Sequence, residues 1–329
     1  MKLLTFRRRG EGISRIGALT LQGEVVDLSS AHTSYLHEKE EASSKHLAIT
    51  SLPSDMAEFI RGGQASLKAA EMALTYVQEK KDQKMTLGPN VEKWVMSQEE
   101  VEFLPPILHP GKMISAGMNY QEHLADSGSD APEMPVAFSK FYSSLVGHHG
   151  KIYYTDQTTT LDYEIELAFV IGKKGKYIKR DEAMDYVYGY TIFNDVSERT
   201  LQFREMKQGL LLGGKNMDTF GPLGPWIVTK DEIEDPHNLR MILKVNGEIR
   251  QDSNTKYMMF HICDQIAYWS SLMSLHPGDL FATGTPSGVA LGRKPHPELY
   301  YLKPGDRIEA SIEGLGILMN QVVREPKDK

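Results

Sequence analysis

A single cysteine, Cys263, stands among the 329 residues. That excludes an intramolecular disulfide, a thiolate zinc site and a redox pair, and a buried inert thiol is its expected state. No apolar run approaches membrane-spanning length, and the opening "MKLLTFRRRG" is too short in apolar residues for a signal peptide, so the cytoplasm is the expected location. An excess of positive charge is missing too: 37 Lys and Arg stand against 44 Asp and Glu, a formal net charge of -7. The basic run at 7–9 is too short to reverse that balance, so neither nucleic acid nor membrane is an expected partner. Familiar catalytic signatures are also absent: no G-x-G-x-x-G, P-loop, H-E-x-x-H, G-x-S-x-G or EF-hand loop. Internal repeats and low-complexity tracts are not found either.

What remains is a globular composition, 40% hydrophobic and 25% charged, in a chain long enough for one large domain or two unequal ones. Residues 1–104 read as a small N-terminal α/β domain. "KLLTFRR", "ISRIGALT" and "EVVDLSS" suit short strands, and "SDMAEFIRGGQASLKAAEMALTYVQEK" has helical periodicity broken at Gly62 and Gly63. The Pro-rich "FLPPILHPGKM" is a connector into a β-rich second domain, 105–329. There, Asn246-Gly247 in "LKVNGEIRQ" predicts a type I′ hairpin, "FHICDQIAYWSSLMSL" predicts an amphipathic helix, and "QEHLADSGSDAPEMP" predicts a long loop.

The chemistry gathers around "LDYEIELAFV", 161–170. Read as a strand, it sends Tyr163, Ile165, Leu167 and Phe169 to one face and Asp162, Glu164 and Glu166 to the other. Carboxylates at i and i+2 stand roughly 7 Å apart and raise one another's pKa unless a positive group lies between them. The acidic face runs on into Ala168 and Val170, which suits the mouth of a pocket better than an open surface. In "GYTIFNDVSERTLQFREMKQG", Asp195 reads as a helix N-cap with Glu198 completing a capping box. Equally, Asp195 with Arg199 and Gln202 on one helical face could serve anionic oxygens, and Glu164, Glu166 and Asp195 together could hold a hard divalent cation. Lys215 sits in the Gly-rich, largely apolar "LLGGKNMDTFGPLGPW", either solvated or buried with a partner. His123 follows a strand in "GMNYQEHLAD", with Asp126 placed to orient it if that segment turns helical. Thr285 and the backbone N–H groups of "GTPSG" form either a turn or a carboxylate site.

Taken together, "SAGMNYQEH", "DYEIELAFVIG", "GYTIFNDVSERTLQ", "GKNMDTFGPLGPW", "VNGEIRQ", "GDLFATGTPSGV" and "KPGDRIEASIEGLG", in this order over about 105–323, resemble the fumarylacetoacetate hydrolase superfamily. The resemblance implies an α+β fold, a mixed β-sandwich roll that is usually dimeric, binding Mg²⁺ or Mn²⁺ and cleaving C–C bonds in 1,3-dicarbonyl or 2-oxo acids. The family's metal-binding acids fall on Glu164, Glu166 and Asp195, and its pocket residues on Arg199, Gln202 and Lys215. Its histidine falls on His123, with Asp126 or Glu309 as the orienting acid, and Tyr120, Lys140 and Thr285 are further substrate contacts. Met118 replaces the arginine that many acylpyruvate-cleaving members carry in "G-R-N-Y".

The reaction implied is hydrolysis: water activated by His123 attacks a carbonyl polarised by the metal, with Lys215 and Gln202 stabilising the oxyanion and an enolate leaving. Arg199 would anchor a carboxylate of the small 2-oxo or diketo acid. The alternative uses the same metal-stabilised enolate for oxaloacetate decarboxylation or for lyase or isomerase chemistry. A non-catalytic metal-binding protein is the reading from another class.

Overall fold

The computed structural model describes residues 1–327 apart from positions 42, 84, 86, 89–91, 123 and 125–129. Short strands predicted near the N-terminus form as β1 (Lys2–Arg8), β2 (Arg15–Leu19) and β3 (Val25–Asp27). The third stops early because Asp27 turns to cap the next helix, its carboxylate accepting from Ser30 N at 3.1 Å. The predicted break at the glycine pair is a break between two helices. In order, the helices here are α1 (Leu28–Glu38), α2 (Ser44–Ser51), α3 (Met56–Arg61) and α4 (Gly63–Asp82).

Beyond them run β4 (Val95–Met96), β5 (Val101–Phe103), β6 (Met113–Gly117), β7 (Val136–Ser139), β8 (Leu145–Val146) and β9 (Lys151–Tyr154). The central strands are β10 (Leu161–Asp162), β11 (Ile165–Ile171), β12 (Val187–Asn194), β13 (Ser197–Glu198) and β14 (Gly221–Thr229). Between β13 and β14 lie α5 (Arg199–Met206) and α6 (Gly213–Asn216). The chain closes with β15 (Arg240–Val245), β16 (Glu248–Asn254), α7 (Ile262–Leu272), β17 (Leu280–Ala282), β18 (Arg307–Ile312) and β19 (Gly316–Arg324). Asn246 and Gly247 join β15 to β16 with φ of 52° and 82°, the left-handed pair that a two-residue type I′ turn requires.

Among the described residues, twelve strands form one mixed sheet in the order β4-β3-β2-β1-β14-β12-β11-β17-β6-β7, with β5 on β1 and β8 on β14. A second sheet runs β16-β15-β18-β19-β9, and β10 with β13 makes a small ribbon. Strands from both sides of the expected 104/105 boundary share the large sheet, because β1 pairs antiparallel with β14.

The two faces of β11 show what this layering does. Ile165, Leu167 and Phe169 enter a core shared with Met241 and Leu243 of β15 and Ile308 and Ala310 of β18. Ala168 and Val170 point the other way, into a core with Phe59 and Ile60 of α3 and Ala70 and Ala73 of α4. Alternation at period two therefore puts the second sheet on one side of β11 and the N-terminal helices on the other. The acids before Ala168 open on the helix side.

One buried histidine couples this packing to pH. His148 Nδ1 accepts from Met319 N at 3.0 Å, and the ring lies edge-on to Phe103. Burial, with the neighbouring His149, pushes its pKa from 6.5 down to about 3. Between those values the unfolded chain binds a proton that the folded chain does not, so stability rises with pH there and is complete above 6.5. The contribution to the slope approaches ~1.4 kcal/mol per pH unit. His148→Gln keeps an acceptor for Met319 and should flatten urea-derived stability against pH between 4.5 and 6.5 by about that much. An unchanged slope would assign the acid sensitivity to other groups.

Candidate metal and substrate site

The acidic stretch is not one strand. After Asp162 the chain steps out of line, and side chains take over the backbone N–H groups at the step. Asp162 Oδ1 accepts from Tyr163 N at 2.8 Å, Asn194 Oδ1 from Glu164 N at 2.8 Å, and Gln251 Oε1 from Ile165 N at 3.0 Å. The ladder resumes in β11, antiparallel to β12. The face assignment survives the step, because Tyr163 joins the same core as Ile165 and Leu167.

Asp195 lies just past the end of β12 and reaches the same place. It does not cap a helix. Its backbone N–H donates to Glu164 O at 2.9 Å, and the helix starts only at Arg199. Nor does Glu198 close a capping box, since its carboxylate accepts from the Thr159 and Thr160 hydroxyls at 2.8 and 2.9 Å. Freed from capping, Asp195 joins Glu164 and Glu166, and all three are buried with carboxylate oxygens within 4.8 Å of one another.

Such crowding requires positive groups, and three cations supply them. Lys215 Nζ bridges Glu164 Oε2 at 2.7 Å and Asp195 Oδ2 at 2.8 Å. Arg199 Nη2 lies 2.6 Å from Glu164 Oε1 and 2.8 Å from Asp162 Oδ2. Lys140 Nζ lies 2.9 Å from Asp195 Oδ1 at ion-pair distance, and it donates to the carbonyls of Lys215 and of Phe220. Burial lowers the pKa of Lys140, against the attraction of Asp195. Burial acts on Lys215 in the same sense, but Asp195 and Glu164 outweigh it and its pKa is raised, so its ammonium is secure. Burial, then Asp195 and Glu164, push the Glu166 carboxyl well above the ordinary carboxylate range.

Four carboxyl groups thus share three cations, Lys140, Arg199 and Lys215, and among the described residues Glu166 is the one with no cation at ion-pair distance. Asp195 is almost wholly buried, with Oδ1 facing Lys140 and Oδ2 facing Lys215. Three hard oxygen donors from three acids within 4.8 Å of one another fit a divalent cation.

Of the other expected site residues, Gln202 accepts through Oε1 from Arg199 Nη1 at 3.0 Å, so the two do share a helical face. Arg199 is committed to Asp162, Glu164 and Gln202 inside the protein, and its carboxylate contacts are these internal ones. Thr285 is likewise engaged internally, its hydroxyl donating to Ile165 O and accepting from Gln251 Nε2, each at 2.9 Å. Two of the protein's own carboxylates meet the 284–288 turn: Glu166 Oε2 accepts from Gly284 N at 2.9 Å, and Glu122 Oε2 accepts from the Ser287 hydroxyl at 3.3 Å. Tyr120 is fully buried, its hydroxyl 3.4 Å from Met241 Sδ. Glu309 is not brought to the cluster. It alternates along β18 with Ile308 and Ala310, which fill the core between the sheets, so it faces away from β11. His123 and Asp126 lie outside the described residues.

Three residues hold the site through bonds that the sequence does not announce. Asp162, one acid of the row, also accepts from Ala290 N at 2.8 Å and Leu291 N at 3.1 Å, which pins the loop after the 284–288 turn. Gln251 joins the second sheet to Ile165, between the two glutamates, and Nε2 also donates to Pro286 O at 3.0 Å. Asn119 ties the start of the long loop to Thr283 O at 2.8 Å and Phe260 O at 3.0 Å. Nothing in "VNGEIRQ" or "GMNYQEH" alone signals these long-range bonds.

Known proteins share this architecture. Residues 112–323 match the family described as the fumarylacetoacetate (FAA) hydrolase C-terminal domain. A Rattus norvegicus protein named oxaloacetate tautomerase Fahd2a, mitochondrial, is 44% identical over 272 residues, 83% of this chain and 80% of that one. Among solved structures, a fumarylacetoacetate hydrolase from Exiguobacterium antarcticum superposes with a TM-score of 0.75 at 32% identity, covering 99% of this chain and all of that one (100%). A maleylpyruvate hydrolase from Sphingobium sp. SYK-6, solved with manganese(II) and pyruvate, gives 0.70 at 26% identity, covering 99% and 100%. The mitochondrial name of the rat relative goes against the expected cytoplasmic location, which is withdrawn.

Charge crowding makes a two-sided prediction for Glu166→Gln, which keeps an acceptor for Gly284 N. Because the Glu166 carboxyl is already pushed toward its neutral form, the change should leave the melting temperature of the metal-free protein within roughly 2–4 °C of wild type near neutral pH. The same change should weaken Mn²⁺ binding at least ~10-fold in calorimetry, since a carboxylate ligand is lost. Unchanged Mn²⁺ affinity in both this variant and Asp195→Asn would remove these acids from the metal site.

Proposed function

The chain belongs to the fumarylacetoacetate hydrolase family, and on that footing we propose that it interconverts the keto and enol forms of a small 2-oxo diacid, with oxaloacetate as the substrate. The expectation of C–C hydrolysis gives way here to the isomerase alternative, because the relative at 44% identity carries the name oxaloacetate tautomerase, while the hydrolase structures stand at 32% and 26%.

The observation that carries the reading is the Glu164–Lys215–Asp195 bridge, 2.7 and 2.8 Å long and buried. Tautomerisation needs a proton removed from C3 and negative charge stabilised on the 2-oxo oxygen. A divalent cation held by Glu164, Glu166 and Asp195 would supply Lewis acidity to the 2-oxo and carboxylate oxygens. Lys215, kept protonated by its two carboxylates, is the side chain that can donate to the oxygen where charge develops, in a setting that excludes water. Arg199 holds Glu164 from the far side, so its role is to orient that acid. His123 is the proposed base for the C3 proton, which it returns to the oxygen. No water is consumed and no C–C bond breaks. Hydrolysis of an acylpyruvate would need the same charge stabilisation plus an attacking water; the maleylpyruvate hydrolase likeness favours that second reading. A homodimer remains part of the proposal.

The test monitors the decay of enol-oxaloacetate absorbance with Mn²⁺ present, beside a pyruvate-coupled assay for decarboxylation and acylpyruvate cleavage. Fast enol decay without pyruvate release is expected, and faster acylpyruvate cleavage would overturn the tautomerase reading. His123→Ala should slow enol decay by about 10²–10⁴-fold with Mn²⁺ affinity unchanged. Wild-type rates in that variant would take the base role away from His123.

A further inference from the structure

We propose that Glu205 is a positioning residue: it clamps the short helix α6 and thereby fixes Lys215 between Glu164 and Asp195. The proposal rests on the reading of Lys215 as the charge-stabilising cation, and it begins from the loop before α6, whose far side is tied by Asn216 Nδ2 donating to Leu212 O at 3.0 Å and Ser139 O at 3.1 Å. Between α5 and α6 the chain swings out through 207–212, where Leu210 and Leu212 are 67% and 48% exposed. An exposed loop of this kind gains almost nothing from burial, so its closure depends on polar contacts.

Glu205 makes those contacts with both carboxylate oxygens. Oε2 accepts from Leu212 N at 3.0 Å and Gly214 N at 3.1 Å, and Oε1 accepts from Gly213 N at 2.6 Å. These are the N–H groups at the start of α6 that no helical carbonyl can serve. Its own carbonyl accepts from Gln208 N at 2.8 Å and Leu210 N at 3.1 Å, so one residue closes the loop at both levels. Burial would raise the Glu205 carboxyl, but the three N–H donors outweigh it and hold its pKa below the ordinary value.

The glycines make the clamp tight. A Cβ on Gly214 would stand 2.6 Å from Gln202 N, and one on Gly213 would stand 2.9 Å from Glu205 Oε1. The two helices therefore meet backbone to backbone, and the pair of glycines before Lys215 is accounted for by this approach. Lys215 is the very next residue. Its carbonyl accepts from the buried Lys140 Nζ, so the lysine backbone is held by an acid clamp before it and a buried cation at its own carbonyl. Loosening the clamp leaves the acids in place and lets the ammonium drift.

The experiment uses the full chain with Mn²⁺ and compares Glu205→Ala with Glu205→Gln, which retains one acceptor oxygen. In Glu205→Ala, kcat for enol-oxaloacetate decay should fall ~10-fold with KM within about twofold, and Glu205→Gln, left with one of the two acceptor oxygens, should recover about half of the loss on a logarithmic scale. A second readout needs no substrate: amine-reactive labelling with detection by mass spectrometry. Lys215 should label ~5-fold faster in Glu205→Ala than in wild type, with Mn²⁺ affinity and the labelling of Lys140 unchanged. Failure of oxaloacetate as a substrate would silence only the kinetic arm, whereas wild-type protection of Lys215 in Glu205→Ala would overturn the clamp. Should Glu205→Ala not fold, Glu205→Gln decides: an intermediate labelling rate supports the proposal and a wild-type rate overturns it.

Discussion

Charge buried without a partner is too costly to persist, and that constraint shapes this protein around its acids. Asp162, Glu164, Glu166 and Asp195 are almost wholly withdrawn from water. Each would cost several kcal/mol in that state if left unpaired. The surroundings answer that cost. Arg199 spans Asp162 and Glu164, Lys215 spans Glu164 and Asp195, and Lys140 lies against Asp195. Among the described residues Glu166 accepts a backbone N–H from Gly284, and its carboxyl is pushed well above the ordinary carboxylate range. Glu164, Glu166 and Asp195 stay crowded within 4.8 Å, and a divalent cation among them would relieve that crowding.

The same constraint explains the local irregularities. A continuous strand through 161–170 would satisfy its backbone by the ladder alone. Here the ladder lapses after Asp162, and Asn194 and Gln251 serve the stranded N–H groups. The lapse lets β10 pair with β13, which delivers Arg199 to Asp162. Gln251 comes from the second sheet, so that sheet supports the site even though its core lies on the opposite face of β11. The two layers packed on β11 leave these side chains little freedom, and such supporting contacts are what hold catalytic groups to a productive geometry.

A cluster of this kind stabilises developing charge whatever reaction produces it. Negative charge on a 2-oxo oxygen arises when a C3 proton leaves and also when a C–C bond breaks. One family can therefore include a protein named tautomerase and others named hydrolases, with the difference lying in the base, the water and the groups around the rest of the substrate.

By itself the sequence determined the pattern that decides which side chains are neighbours along one element. Alternation put Tyr163, Ile165, Leu167 and Phe169 in one core and the acids on the other face, and helical spacing joined Arg199 to Gln202. Asn246-Gly247 specified its hairpin, because only residues tolerant of positive φ suit both turn positions. Motifs in family order also point to the metal acids and to Lys215. Tertiary structure decided everything that depends on distance between elements. Whether Asp195 capped a helix or joined two glutamates was open until β12 fixed its backbone against Glu164. Arg199 and Thr285, free to meet substrate on sequence grounds, proved to be engaged by Asp162 and by Gln251, residues 37 and 34 positions away. Glu309 lay on the face of β18 turned away from β11, a matter of which side of a sheet meets the core. Local periodicity constrains faces, and only the packing of sheets says which faces meet.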